Sequence, residues 1–91
     1  MMICVDKTYL ECVNPEKNRK VYYRIMAGQD LFGLVLIRCW GRIGTHEKIR
    51  MKERFTDLDE LGKVCRRILS TRLSHGYVVK VEKVISTVRE I

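Results

Sequence analysis

The sequence is poor in the residues from which catalytic and metal sites are usually built. It has two histidines among 91 residues, His46 and His75, and neither stands at a spacing that would pair a base with a nucleophile. The chain has four cysteines: Cys4, Cys12, Cys39 and Cys65. They form no Cys-x-x-Cys pair, and none stands at the spacing from a histidine that a zinc site uses. Glycine loops that bind phosphate are missing too. We therefore expect no enzymatic activity, no metal and no cofactor, and cysteines that act as small buried apolar residues.

Long apolar runs are also missing. No segment approaches the roughly 20 consecutive apolar residues that a membrane-spanning helix requires. The charged residues Asp6 and Lys7 come before a signal-peptide core could form. The cysteine pattern does not indicate an oxidising compartment. The sequence therefore predicts a soluble, cytoplasmic protein with no membrane partner.

Acidic residues are few relative to basic ones. The chain has 11 Asp and Glu against 18 Lys and Arg, a formal net charge of +7, although 46% of its residues are hydrophobic. That hydrophobic content is typical of a folded domain. The positive charge attracts polyanions, with an affinity that falls as salt rises. A chain of this length forms one domain with one core, so we predict a single domain over residues 1–91.

Proline occurs once, and it helps to place the first turn. Residues 3–13 are rich in β-branched and aromatic residues, which favour a strand, and Asn14-Pro15 then starts a turn. Residues 19–28 should return antiparallel, a loop over 28–33 should follow, and residues 34–41 are apolar on both faces, as in a central strand. Residues 46–55 alternate most clearly and place four basic residues on one side: Lys48, Arg50, Lys52 and Arg54.

Helix signals begin after the fourth strand. Thr56 is the expected N-cap, and apolar residues recur at steps of three and four: Leu58, Leu61, Val64, Cys65, Ile68, Leu69 and Leu73. Gly76 supplies the left-handed residue that ends the helix. A short strand should start near Tyr77, while residues 83–91 fit either a strand or a helix. The predicted fold class is α+β: an antiparallel β-sheet of four to five strands with one flanking amphipathic helix.

The only tryptophan, Trp40, lies between Arg38 and Arg42 where the chain turns. One interpretation is a half-buried aromatic residue at a strand end, beside solvated guanidinium groups. The other is a nucleic-acid contact, because guanidinium groups hold phosphate and indole stacks on a sugar or base. The same alternatives apply to the basic row of residues 46–55 and to a second basic set, Lys17, Arg19, Lys20 and Arg24. Together with the net charge, several basic rows favour binding.

Beyond these residues, the stretch WGRIGT at 40–45 resembles the signature of the WGR domain, which occurs in DNA-dependent poly(ADP-ribose) polymerases and in small bacterial proteins. KVYYRI at 20–25 resembles the family's tyrosine-bearing second strand, and DLFG at 30–33 a loop of bacterial members. Residues 56–77 resemble its helix, with Arg72 at a lysine-like position and a closing Gly-Tyr. The resemblance covers about residues 3–78 and leaves 79–91 as a C-terminal extension.

This resemblance implies a stand-alone DNA-binding module without catalysis, nucleoid-associated if bacterial, that recognises DNA ends, nicks or single-strand junctions. Trp40 would pack on a sugar at the break, Arg42 would contact the phosphate region, and Gly41 would allow close approach. Further DNA-binding candidates follow from charge and proximity: Arg38, Asn18, Lys20 and Arg24, with Lys48, Arg50 and Lys52 on a basic sheet face.

The alternative is a protein–protein interaction adaptor that uses the same surface or an apolar C-terminal tail. The apolar residues of that tail are Val84, Ile85, Val88 and Ile91. Such a protein would be a monomer or a weak homodimer. A DNA contact and an apolar protein contact differ in their response to salt, because only the DNA contact releases bound counterions.

Overall fold

Five strands and one α-helix make up the part of the chain that the computed structural model describes, which is the backbone of residues 3–80 and the side chains of residues 6–80. In chain order the elements are β1 (Ile3–Asn14), a 3-10 turn (Pro15–Lys17), β2 (Arg19–Asp30), β3 (Gly33–Arg42), β4 (Ile49–Phe55), α1 (Leu58–Ser74) and β5 (Val78–Lys80). The strands form one sheet in the order β4-β3-β2-β1-β5, and every neighbouring pair is antiparallel. The predicted α+β fold is confirmed.

The first turn forms where the single proline predicted it. Pro15 opens the 3-10 turn, and Asn18 closes it with a left-handed backbone of φ 50°. Asparagine tolerates that conformation better than most residues. The turn returns the chain so that Asn14 of β1 pairs with Arg19 of β2.

The second turn is tighter than the sequence predicted. β2 runs on to Asp30, which pairs with Gly33 across a two-residue turn, so the loop predicted over 28–33 is wrong in length. The Asp30 carboxylate stabilises the turn by accepting hydrogen bonds from the Phe32 N–H (2.9 Å) and from the Arg54 guanidinium. The bond from Arg54 lowers the pKa of Asp30 to about 2.

The fourth strand, β4, is shorter than predicted, because it begins at Ile49 and not at residue 46.

The two faces of the sheet carry separate apolar clusters. On the helix face, Leu61 and Ile68 of α1 pack with buried residues of β1, β2 and β3, among them Leu10, Cys12, Tyr23, Ile25, Ala27 and Leu36. The opposite face, here called the far face, carries a smaller buried cluster of Tyr22, Val35, Ile37 and Cys39. β3 is therefore apolar on both faces, as predicted, because it lies between β2 and β4.

The cysteines in the described region are small apolar core residues, as expected for Cys12 and Cys39. Both are buried, Cys65 is half-buried, and all three are free thiols. Burial, with Glu47 nearby, raises the pKa of Cys39 to about 11. Since the thiolate is the reactive form of cysteine, this thiol is a poor nucleophile at neutral pH. The side chain of Cys4 lies outside the described residues.

Helix α1 begins one residue later than predicted. The N-cap is Asp57 and not Thr56: the Asp57 carboxylate accepts a hydrogen bond from the Asp59 N–H at 3.0 Å. Both residue types are good caps, so the sequence alone did not separate two neighbouring candidates. The helix ends as predicted, with Gly76 in a left-handed conformation of φ 93°. Within residues 3–80, no helix has the length and apolarity needed to cross a membrane.

The assignment of the N-cap can be tested with two alanine variants. Asp57→Ala should lower the free energy of unfolding by about 1 kcal/mol, because an N–H in the first turn loses its acceptor. Thr56→Ala is the matched control and should change it by less than about 0.5 kcal/mol. Urea denaturation followed by far-UV circular dichroism measures both. An equal loss in the two variants would contradict the assignment.

Candidate nucleic-acid interface

The candidate interface lies at one end of the helix face, beside the last turn of α1. Five side chains line a cleft of about 270 Å³ there, and we call them the Trp40 cluster: Tyr23, Arg38, Trp40, Arg72 and Tyr77. Trp40 is half-buried, and its ring stacks on Tyr23 with the centroids 5.4 Å apart and the planes 11° from parallel. Tyr77 meets Tyr23 edge-on at 6.1 Å. The indole is therefore held in a defined plane by a second aromatic residue.

The sequence brings these three rings together through strand register and a helix end. Tyr23 and Trp40 are cross-strand partners on β2 and β3, so their side chains leave the sheet on the same face. After α1, the left-handed Gly76 turns the chain so that the Tyr77 N–H donates to the Arg72 carbonyl at 3.1 Å. The Tyr77 ring is buried as a result.

Guanidinium groups surround the rings. The Arg72 Cζ atom lies 5.0 Å from the Tyr23 centroid and 5.6 Å from the Tyr77 centroid. The Arg19 Cζ atom lies 5.8 Å from the Tyr77 centroid. Arg38 donates from Nη1 to the Tyr23 hydroxyl at 3.2 Å. These distances are typical of cation–π contacts. The cluster combines planar apolar surface with positive charge, which suits a sugar or base joined to a phosphate.

Arg42 lies at the edge of this surface. It is exposed and pairs with Val21, a helix-face residue, so its side chain leaves the sheet on the side of Trp40. Its two terminal nitrogens donate to the carbonyl and side-chain oxygens of Asn18, each at 3.4 Å. Such long, exposed bonds are weak. They orient the guanidinium and leave it able to exchange Asn18 for a phosphate.

The other predicted basic residues are not all brought to this surface. Alternation along β2 and the pairing of Lys52 with Ile37 place Lys20, Arg24 and Lys52 on the far face, so the sheet separates them from Trp40. The Arg24 Nε atom lies 3.0 Å from Glu47, and its guanidinium lies above the Tyr9 ring at 4.7 Å.

Two further basic candidates lie near the start of β4. Arg50 is at the irregularity where the pairing of β3 with β4 shifts, and its Nε donates to the Trp40 carbonyl at 3.1 Å. Lys48 is exposed in the connection before β4. Arg50 is therefore adjacent to the backbone of Trp40, although the alternation of residues 46–55 grouped it with Lys52.

The two glycines of the signature differ in what the local fold requires of them. A Cβ atom on Gly41 would lie 3.4 Å from the Tyr22 ring, an ordinary van der Waals contact, so the fold itself does not require glycine there. Gly44 has φ 93° and forms the turn after β3. In that turn the Thr45 hydroxyl donates to the Arg42 carbonyl at 2.6 Å. The expected close approach at Gly41 stays a prediction.

The sequence did not predict Tyr23 and Tyr77 as site residues, and it placed Arg19 only in the second basic set. A signal for Tyr23 was present, because it lies in KVYYRI, the stretch that resembles the family's tyrosine-bearing strand. Arg72 was noted at the lysine-like position of the family's helix but was not predicted as a site residue. The apolar tail of the adaptor alternative falls in residues 81–91, outside the described residues.

Comparison with known proteins gives one finding. The family model of the WGR domain matches the chain over residues 6–84, a span that includes the whole Trp40 cluster. Searches of curated proteins and of solved structures returned no match.

Proposed function

The chain belongs to the WGR domain family, as the resemblance of its sequence predicted, and from this premise we propose that it binds DNA at ends, nicks or single-strand junctions. WGR domains are in general nucleic-acid-binding modules and are not catalytic. The observation that carries the proposal is the Trp40 cluster, where a stacked indole lies in a cleft among guanidinium groups.

The preference for breaks follows from the position of the indole. Trp40 is half-buried in a cleft, and its ring can stack on a base only where that base leaves the regular duplex. Inside a closed duplex, freeing one nucleotide costs a few kcal/mol of lost stacking and pairing. At an end or nick, part of that stacking is already lost. The Trp40 cluster should therefore bind breaks more tightly than continuous duplex.

A titration of labelled DNA tests the proposal. Nicked, blunt-ended and covalently closed circular duplexes of one sequence should be titrated at two salt concentrations. We expect the affinity to fall steeply with salt on all three, and nicked and blunt-ended DNA to bind more tightly than the circle. Equal affinity for the circle and the broken duplexes would contradict the preference for breaks.

Two double variants of equal charge show which face contacts the phosphates. Arg19→Gln with Arg42→Gln removes two charges beside the Trp40 cluster and should flatten the slope of log affinity against log salt by about two. Lys20→Gln with Lys52→Gln removes two exposed charges from the far face and should change the slope by less than about 0.5, because that face points away from the DNA. An equal change in both would show that DNA contacts both faces.

A further inference from the structure

A second cleft opens beside the Trp40 cluster, between α1 and the edge strand β4. It also has a volume of about 270 Å³, and its polar lining is Arg38, Glu53, Arg67, Thr71 and Arg72. Arg38 and Arg72 line both clefts, so the two clefts are adjacent. A ligand that leaves Trp40 toward α1 meets Arg38 and Arg72, the two residues that the clefts share.

The charge of the second cleft is positive. Three guanidinium groups face one carboxylate, Glu53, which lies 3.4 Å from Arg38. Arg67 is exposed and has no ion pair among the side chains of residues 6–80. The lining therefore retains positive charge that no described carboxylate neutralises.

The Arg38 guanidinium is mostly buried, and its hydrogen bonding is incomplete. Its Nη1 donates to the Tyr23 hydroxyl at 3.2 Å, and its Nη2 to the Met51 thioether at 2.7 Å and to Glu53 at 3.4 Å. Its Nε is buried without a partner in the described part of the chain. A phosphate offers two strong oxygen acceptors in the geometry that a guanidinium prefers. Arg38 thus has one unused buried donor, and its one anionic neighbour, Glu53, lies at a long 3.4 Å.

We propose that the second cleft binds the backbone of an unpaired DNA strand that continues past Trp40, so that the protein prefers ends with a single-stranded extension over blunt ends. The inference rests on the proposed function and adds the class of end. Aromatic rings followed by a positive groove are the arrangement by which proteins hold single strands without reading their sequence. An acidic protein segment would use the guanidinium groups but not the adjoining rings.

A duplex hairpin with one open end tests this proposal with the 91-residue chain. The open end is blunt or carries a four-nucleotide extension of either polarity, and binding is followed by fluorescence anisotropy. We expect one polarity to bind about tenfold more tightly than the blunt end. Arg67→Gln should reduce that gain to about threefold or less and leave the blunt-end affinity within about twofold.

Arg66→Gln is the matched control. Arg66 is on the same helix and has the same charge, but it lines a different groove, with Leu58 and Leu61. The gain from the extension should survive in this variant. The same loss in Arg66→Gln as in Arg67→Gln would overturn the proposal, because net charge would then explain it.

Two other results would also overturn the inference. One is a wild-type protein that gains nothing from either extension. The other is competition by polyglutamate that equals competition by a single-stranded oligonucleotide of the same charge. Neither result decides the proposed function, which depends on the ratio of the affinity for ends to the affinity for circles. If the protein bound ends and circles with equal affinity, the proposed function itself would be wrong.

Discussion

Trp40→Ala should weaken binding to nicked and blunt-ended DNA by roughly tenfold to a hundredfold, while the affinity for a closed circle should change by less than about threefold. A base or sugar that stacks on an aromatic side chain contributes about 1–3 kcal/mol, and 1.4 kcal/mol corresponds to tenfold in affinity. The circle offers no terminus, so it should not use the indole. The measurement is the ratio of the two affinities in variant and wild type.

A control for folding is needed, because Trp40 also stacks on Tyr23 and packs at the edge of the helix-face core. Its loss should lower the melting temperature, and the titrations must be made well below the new midpoint. Trp40→Phe keeps an aromatic ring and should retain part of the preference for ends. As the only tryptophan, Trp40 also reports directly through its fluorescence, which should change on adding nicked DNA.

The opposite result would assign Trp40 to the core alone. In that case Trp40→Ala would weaken binding to every DNA substrate equally, and the indole fluorescence would not respond to nicked DNA.

Variants of Arg42 test the same surface independently of Trp40. Lysine keeps the charge but lacks the planar fork, so it should restore only part of the affinity lost in Arg42→Ala.

The strands and the helix could be predicted because their signals are local. Alternating residues on β2 and β3, the proline turn and Gly76 each act within a few residues of chain, and the structure has the elements they indicate. The errors lie where two local choices are nearly equal. Asp57 and Thr56 are both good caps, and the turn at Leu31 and Phe32 is a two-residue hairpin inside a segment that also suits a longer loop.

The site could be predicted only in part because it depends on register. Alternation places Lys20 and Arg24 on one side of β2, and Arg38 and Trp40 on one side of β3. It does not determine whether these two sides belong to the same face of the sheet. The pairing of Asp30 with Gly33 sets the register of β2 against β3, and in that register Tyr23 pairs with Trp40. Because Lys20 is an odd number of residues from Tyr23, its side chain lies on the opposite face of the sheet from Trp40. Arg67 and Arg72 reach the same region only through the packing of α1 on the sheet.

The second large effect is expected at Tyr23, the residue on which the cluster depends. Tyr23 is buried, stacks on Trp40, meets Tyr77 edge-on and accepts a hydrogen bond from Arg38. Tyr23→Ala should lower the free energy of unfolding by about 3–5 kcal/mol, the range for removing a buried aromatic ring. A domain with 5–15 kcal/mol of stability would be close to unfolding. Urea denaturation measures this loss.

Milder substitutions separate the two roles of Tyr23. Tyr23→Phe keeps the ring and removes only the acceptor of Arg38, so it should cost about 0.5–1.5 kcal/mol of stability and leave the preference for DNA ends unchanged. Tyr23→Leu fills much of the same space but removes the planar support of the indole. In a Tyr23→Leu protein that remains folded by circular dichroism, the ratio of end to circle affinity should fall toward the value of Trp40→Ala. If that ratio stays at the wild-type value while stability falls, Tyr23 supports the core only, and the plane of Trp40 is set by other contacts.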